Sequence, residues 1–134
     1  MRSLHRRAAA LATAVLTLPL LAACSGDDEP ALVIYNAQHE ELIDAVAKAF
    51  TEKTGIEVQL RNGSDLELAN QLSQEGDASP ADVFLTENSP AMALVDSKNM
   101  LARLDRKTLA AVPGVYRPQD GEWTGFAARS TVVL

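Results

Sequence analysis

Two side chains with ligating chemistry follow apolar runs at matching places. His39 stands four residues past the run Ala31-Leu32-Val33-Ile34-Tyr35 and opens the segment that begins at Glu40. Glu87 comes directly after Ala81-Asp82-Val83-Phe84-Leu85-Thr86. An imidazole and a carboxylate brought together from two strand ends make a partial metal site, and two protein ligands are too few to close one. Each residue also has a plain structural reading. A lone histidine at a helix start serves as a loop or cap residue. A carboxylate just before a helix is stabilised by the helix dipole. Arg129 is the third candidate, since a guanidinium beside a cleft can hold an anion with two hydrogen bonds. Spacing alone allows it equally to be a surface arginine paired with one of the many acids. Nothing marks a nucleophile for His39. The chain has no phosphate-cradling glycine loop, no Gly-x-Ser-x-Gly elbow and no paired cysteine-histidine knuckle.

The elements that must position these residues alternate strand with helix. The run from Ala31 to Tyr35 is continuously apolar, as a strand covered on both faces requires. Glu40 to Lys53 places Leu42, Ile43, Val46, Ala47 and Phe50 at three- and four-residue spacing, one apolar helical stripe. Acids lead that segment, Lys48 and Lys53 end it, and Gly55 is a natural stop. Ile56 to Arg61 alternates apolar and polar, the pattern of a half-exposed strand at a sheet edge. Ser64-Asp65-Leu66-Glu67 fits a capping box, and Leu68, Ala69 and Leu72 give the following helix its inner face up to Gly76. Ala81 to Thr86 is a third strand. Ser89-Pro90 opens another helix through Val95, and Leu104 to Ala111 is a further short one. Such repeats predict right-handed crossovers and a mainly parallel sheet, with ligands beyond the carboxyl ends of the strands. If His39 and Glu87 share an ion, both must lie on one edge of the sheet with donor atoms roughly 4–7 Å apart, the strands of Ile34 and Phe84 should be neighbours, and the strand of Val58 should be an edge.

The chain is 134 residues long, enough for one domain. Its net charge of −6 conceals a basic head, because Arg2, Arg6 and Arg7 precede all 18 acidic residues. An acidic body does not attract phosphate backbones, which argues against nucleic acid as a partner, and it suits a protein that handles cations. A hydrophobic content of 47% excludes a disordered chain, and a single cysteine excludes a disulfide framework. Residues 1–23 read as a lipoprotein signal peptide: a positive start, an uncharged stretch from Ala8 to Ala23 too short to span a membrane, then Leu21-Ala22-Ala23-Cys24. That tetrapeptide resembles the bacterial lipobox, in which cleavage precedes the cysteine and lipid joins its sulfur. Cys24 is thus the expected lipidation site, and the protein is expected to be anchored to the outer face of the cytoplasmic membrane. The alternative is an ordinary signal peptide followed by a free thiol. Residues 24–30 form a polar tether. Residues 31–134 are expected to be an incomplete domain, because Ala127 to Leu134 reads as a strand and the chain stops inside it.

A family resemblance rests on ordered matches along this region. Tyr35-Asn36-Ala37-Gln38-His39-Glu40-Glu41, Phe50-Thr51-Glu52-Lys53-Thr54-Gly55-Ile56, Leu68-Ala69-Asn70-Gln71-Leu72, Glu75-Gly76-Asp77, Ser79-Pro80-Ala81-Asp82-Val83-Phe84 and Thr86-Glu87 resemble the opening of bacterial ferric-ion-binding proteins. These are the extracytoplasmic solute-binding components of iron(III) ABC importers. The resemblance implies an α/β fold of the periplasmic-binding-protein-like type II class, a doubly wound sheet of which this chain would hold the first lobe only. It implies a binding protein and not an enzyme, with Fe(3+) as transported ligand, a synergistic anion such as carbonate, and an ABC-transporter permease as partner. It assigns His39 and Glu87 to metal binding and Arg129 to the anion. The family's Ser-Gly before that arginine is Ala127-Ala128 here, which removes a hydroxyl and a flexible backbone. The family's tyrosine pair comes from beyond Leu134, and neither Tyr35 nor Tyr116 matches it. Ferric ion is a hard cation that prefers oxygen donors and tolerates an imidazole. The alternatives are a same-fold protein for another small solute, thiamine-like or a phosphorylated organic molecule, and a secreted hydrolase.

Overall fold

The computed structural model describes residues 31–128. The signal segment, the tether with Cys24, and Arg129 lie outside the described residues. Of the strand expected over Ala127–Leu134, residues 127 and 128 are described and are irregular.

Three strands form one parallel sheet. β1 is Leu32–Asn36, β2 is Val58–Asn62 and β3 is Val83–Leu85, in the order β2-β1-β3. Leu32 pairs with Val58 and Asn36 with Asn62, while Tyr35 pairs with Phe84. The strand of Val58 is therefore an edge, and its side chains alternate as the sequence does: Val58 and Leu60 half-buried, Gln59 and Arg61 exposed. β3 is shorter than expected. Residues 81 and 82 precede it as loop, and Asp82 completes the pairing differently: its amide donates to the Val33 carbonyl at 2.9 Å and its carboxylate accepts the Val33 amide at 2.9 Å.

Helix α1 is Glu40–Thr54, α2 Asp65–Glu75, α3 Ser89–Asp96 and α4 Arg106–Ala110, with 3-10 turns at Gly76–Ala78 and Gly114–Tyr116. The starts and stops follow local chemistry. His39 is the N-cap residue of α1, and Gly55 ends the helix with φ 76°, a left-handed conformation that glycine adopts without strain. Ser64 precedes α2, and Glu67 reaches back to its amide at 3.5 Å. Pro90 stands in the first turn of α3. Asp105 caps α4 by accepting the amides of Lys107 and Thr108 at 2.8 and 2.9 Å.

The core lies between the sheet, α2 and α3. Tyr35, Leu68, Ala69, Leu72, Ala91 and Val95 are buried, with Val33, Phe84, Met100 and Leu101 packed against them. The inner face read for α2 is thus the buried one. The stripe read for α1 is not: Ile43 is buried, but Leu42 is 50%, Val46 56% and Phe50 37% exposed. Periodicity reports what a helix can bury. What covers it must come from elsewhere, and among the described residues that cover is absent.

One polar network runs through this core. The Tyr35 hydroxyl donates to the Glu75 carboxylate at 2.8 Å, and Arg61 donates to the Tyr35 oxygen at 3.0 Å from above its ring. Gln71 and Ser79 also donate to Glu75. Burial works to raise the Glu75 carboxyl, but the bonds from Gln71, Ser79 and Tyr35 and the charge of Arg61 outweigh it and hold it below its ordinary 4.5. No helix among the described residues is long and apolar enough to cross a membrane.

Candidate metal centre

A parallel sheet sends the carboxyl ends of all its strands to one edge, and both candidate ligands stand there. His39 is three residues beyond Asn36, the last of β1, and Glu87 two beyond Leu85, the last of β3. Because β1 and β3 are neighbours, the two loops lie side by side. His39 Nε2 is 3.5 Å from Glu87 Oε1, with the imidazole 72% exposed and the carboxylate 24% exposed. This is closer than the separation expected from sequence. It exceeds an ordinary N–H···O bond and falls within twice a metal–donor bond of about 2 Å, so one ion can touch both atoms.

The loops are tied to the sheet and to each other. Asn36 is fully buried at the end of β1. Its side-chain oxygen accepts the Gln38 amide at 2.9 Å, and its nitrogen donates to Asn62 at 2.8 Å, the residue it faces across the ladder. Gln38 donates its side-chain nitrogen to the Thr86 carbonyl at 2.8 Å, and Ala37 donates its amide to the Leu85 carbonyl at 2.8 Å. The loop bearing His39 is thus bonded directly to the loop bearing Glu87.

A third loop joins them. Asp65, the first residue of α2, accepts the Thr86 hydroxyl at 2.5 Å and the Glu87 amide at 2.9 Å through one oxygen. Its other oxygen accepts the Asn88 side chain at 2.7 Å. Burial works to raise this carboxyl, and the bonds from Thr86, Asn88 and the Glu87 amide hold it below its ordinary 3.8. The structure brings His39 and Glu87, both named from the sequence, side by side, and ties their loops through Asn36, Gln38, Asn62 and Asp65, which the sequence did not single out. Short polar side chains in loops carry no periodicity. Asp65 was visible only as part of a capping box, and the pairing of Asn36 with Asn62 needs the strand register.

A second group of acids, Asp96, Asp120 and Glu122, places three carboxylate oxygens within 4.8 Å of one another. Asp96 ends α3, whereas Glu87 precedes its start, so the two groups sit at opposite ends of that helix. Tyr35, with its hydroxyl held by Glu75, belongs to the core network and not to the edge.

The fold is a partial α/β unit with a parallel sheet, of the type II periplasmic-binding-protein-like class. A sequence profile of bacterial extracellular solute-binding proteins matches residues 31–117, and the chain belongs to that family. It is 63% identical over 103 residues to the Fe(3+)-binding periplasmic protein of Serratia marcescens, covering 77% of this chain and 30% of that protein. The major ferric iron-binding protein of Neisseria gonorrhoeae is 41% identical over 120 residues, 86% of this chain and 36% of its own length. Among solved structures, iron-bound HitA from Pseudomonas aeruginosa superposes with a TM-score of 0.69 at 45% identity, over 71% of this chain and 31% of that one. The chain therefore spans about a third of the length of the relatives it matches.

Proposed function

We propose that this chain is part of the extracytoplasmic solute-binding component of an iron(III) ABC importer, which captures ferric ion and delivers it to a permease. The observation that carries the reading is the 3.5 Å approach of His39 Nε2 and Glu87 Oε1 at the carboxyl edge of the sheet. The relatives named as ferric iron-binding proteins support iron as the cargo. An imidazole and a carboxylate suit a hard trivalent cation only as part of a larger set, and the remaining donors would be oxygens. In this reading they are a tyrosine pair from the part of the relatives' length that this chain does not span, and a synergistic anion such as carbonate held by Arg129. Ligands split between two lobes allow tight capture and release, because opening the cleft separates them. His39 and Glu87 are the first lobe's share.

Two donors alone bind ferric ion weakly and without the visible colour that tyrosinate ligation gives. Weak binding is still readable by magnetic resonance. Ferric citrate titrated into the isotope-labelled chain should broaden the amide signals of residues 38–40 and 86–88 before others. His39→Ala and Glu87→Gln should each raise the iron concentration needed by about tenfold. Uniform broadening across the chain, unchanged by either substitution, would defeat the reading.

The same proposal includes export and anchoring. The lipobox-like Leu21-Ala22-Ala23-Cys24 makes the protein a lipoprotein held at the outer face of the cytoplasmic membrane through Cys24. Cys24→Ala should abolish the lipid mass increment and free the protein from the membrane fraction. Retention with the same mass would show that Cys24 is not the anchor.

A further inference from the structure

Glu87 does not hold its place through its own strand alone. β3 ends at Leu85, and the next three residues, Thr86, Glu87 and Asn88, precede the first turn of α3. Each of them donates one hydrogen bond to a single carboxylate: the Thr86 hydroxyl at 2.5 Å, the Glu87 backbone amide at 2.9 Å and the Asn88 side-chain amide at 2.7 Å. That carboxylate belongs to Asp65. The loop is closed on itself as well, since the Asn88 amide donates to the Thr86 hydroxyl oxygen at 3.2 Å.

Asp65 reaches the loop from a distant direction. It opens α2, which follows β2, and β2 and β3 flank β1 on opposite sides. The side chain therefore bridges from the loop after one outer strand to the loop after the other, across the end of the strand that leads to His39. Gln38, from that central loop, bonds to the Thr86 carbonyl and completes the tie. A charged acceptor bonded to three donors in a row is a stiff constraint, because charge-assisted bonds are shorter and stronger than neutral ones.

We propose that Asp65 is the positioning residue for Glu87. By fixing the Glu87 backbone it sets the carboxylate against His39 Nε2, and it tunes affinity for a hard trivalent cation without touching the ion. This rests on the reading of His39 and Glu87 as metal ligands. Groups that orient a ligand change metal affinity by about 10–100-fold when removed.

The test uses the full chain, ferric citrate as the probe, and the broadening of the residue 38–40 and 86–88 amides, with a thermal melt recorded for every variant. Asp65→Ala should raise the half-broadening concentration about tenfold. Asp65→Asn should recover most of that loss, since its side-chain oxygen still accepts the Thr86 and Glu87 donors and Asn88 can turn its amide. Thr86→Val removes one donor, leaves α2 intact and should cost about two- to threefold. Asp65→Ala added to Glu87→Gln should change affinity less than twofold, because a residue that acts through Glu87 has nothing left to position. If Glu87→Gln itself leaves iron binding unchanged, the metal-site reading falls and the role of Asp65 with it. If Glu87→Gln weakens binding while Asp65→Asn, Asp65→Ala and Thr86→Val all match the parent, the site stands and the positioning role falls. An Asp65→Ala loss that adds in full to Glu87→Gln overturns it too, as general structural damage. Should Asp65→Ala fail to fold, Thr86→Val decides: a loss that disappears in the Glu87→Gln background supports the role, and no loss overturns it.

Discussion

The phenol of Tyr35 and the carboxylate of Glu75 show how one residue can tie stability to pH. Glu75 accepts bonds from Gln71, Ser79 and Tyr35 and faces Arg61 at 3.6 Å, and its carboxyl titrates below its ordinary 4.5 when folded. A lowered folded value means that the unfolded chain takes up the proton first as acid is added. The stabilisation is complete above 4.5 and is lost as pH falls from there through the folded value. Urea midpoints of the parent and Glu75→Gln should therefore differ at neutral pH and converge below 4.5. An equal gap at every pH would show that the charge of Glu75 is irrelevant. The Asp105 cap of α4 acts in the same sense, since bonds from Thr108 hold its carboxyl below 3.8. None of this network was legible in the sequence. Tyr35 read as the apolar end of a strand, and its fully buried hydroxyl needed a partner 40 residues away.

At the scale of elements the sequence was readable wherever periodicity and punctuation agreed. Alternation marked β2 as an edge, Gly55 marked the end of α1, and Leu68, Ala69 and Leu72 marked the face of α2 that the core buries. The neighbouring of β1 and β3 was expected only as the condition for His39 and Glu87 to share an ion, since the crossover rule gives the hand of a connection and not the order of the strands. What stayed illegible was extent. β3 holds three residues where an apolar run suggested six, because Asp82 substitutes a side-chain oxygen for part of the ladder. The bonds linking the loops depend on register and could not be read at all. Leu68, 2% exposed, belongs to the buried core cluster, so Leu68→Ala should destabilise by about 2–5 kcal/mol, measured by urea denaturation. A cost under about 1 kcal/mol would mean that α2 is not part of the cooperative core.

At the scale of the molecule the exposed stripe of α1 matters most. Leu42, Val46 and Phe50 present adjoining apolar surface to water, and such patches drive association. Sedimentation velocity should show this chain associating as concentration rises, and Val46→Ser with Leu42→Ser should shift it toward monomer. Association unchanged by both substitutions would place the sticky surface elsewhere. The edge that carries His39 and Glu87 behaves differently. Asn36 and Gln38 stitch its loops to the sheet before any solute arrives. Ordering a residue costs about 1–2 kcal/mol in backbone entropy, and here that cost falls on folding. In the proposed reading the entropy of assembling these two donors is lost on folding, so what remains to be ordered on capture is the ion's other ligands and not these loops.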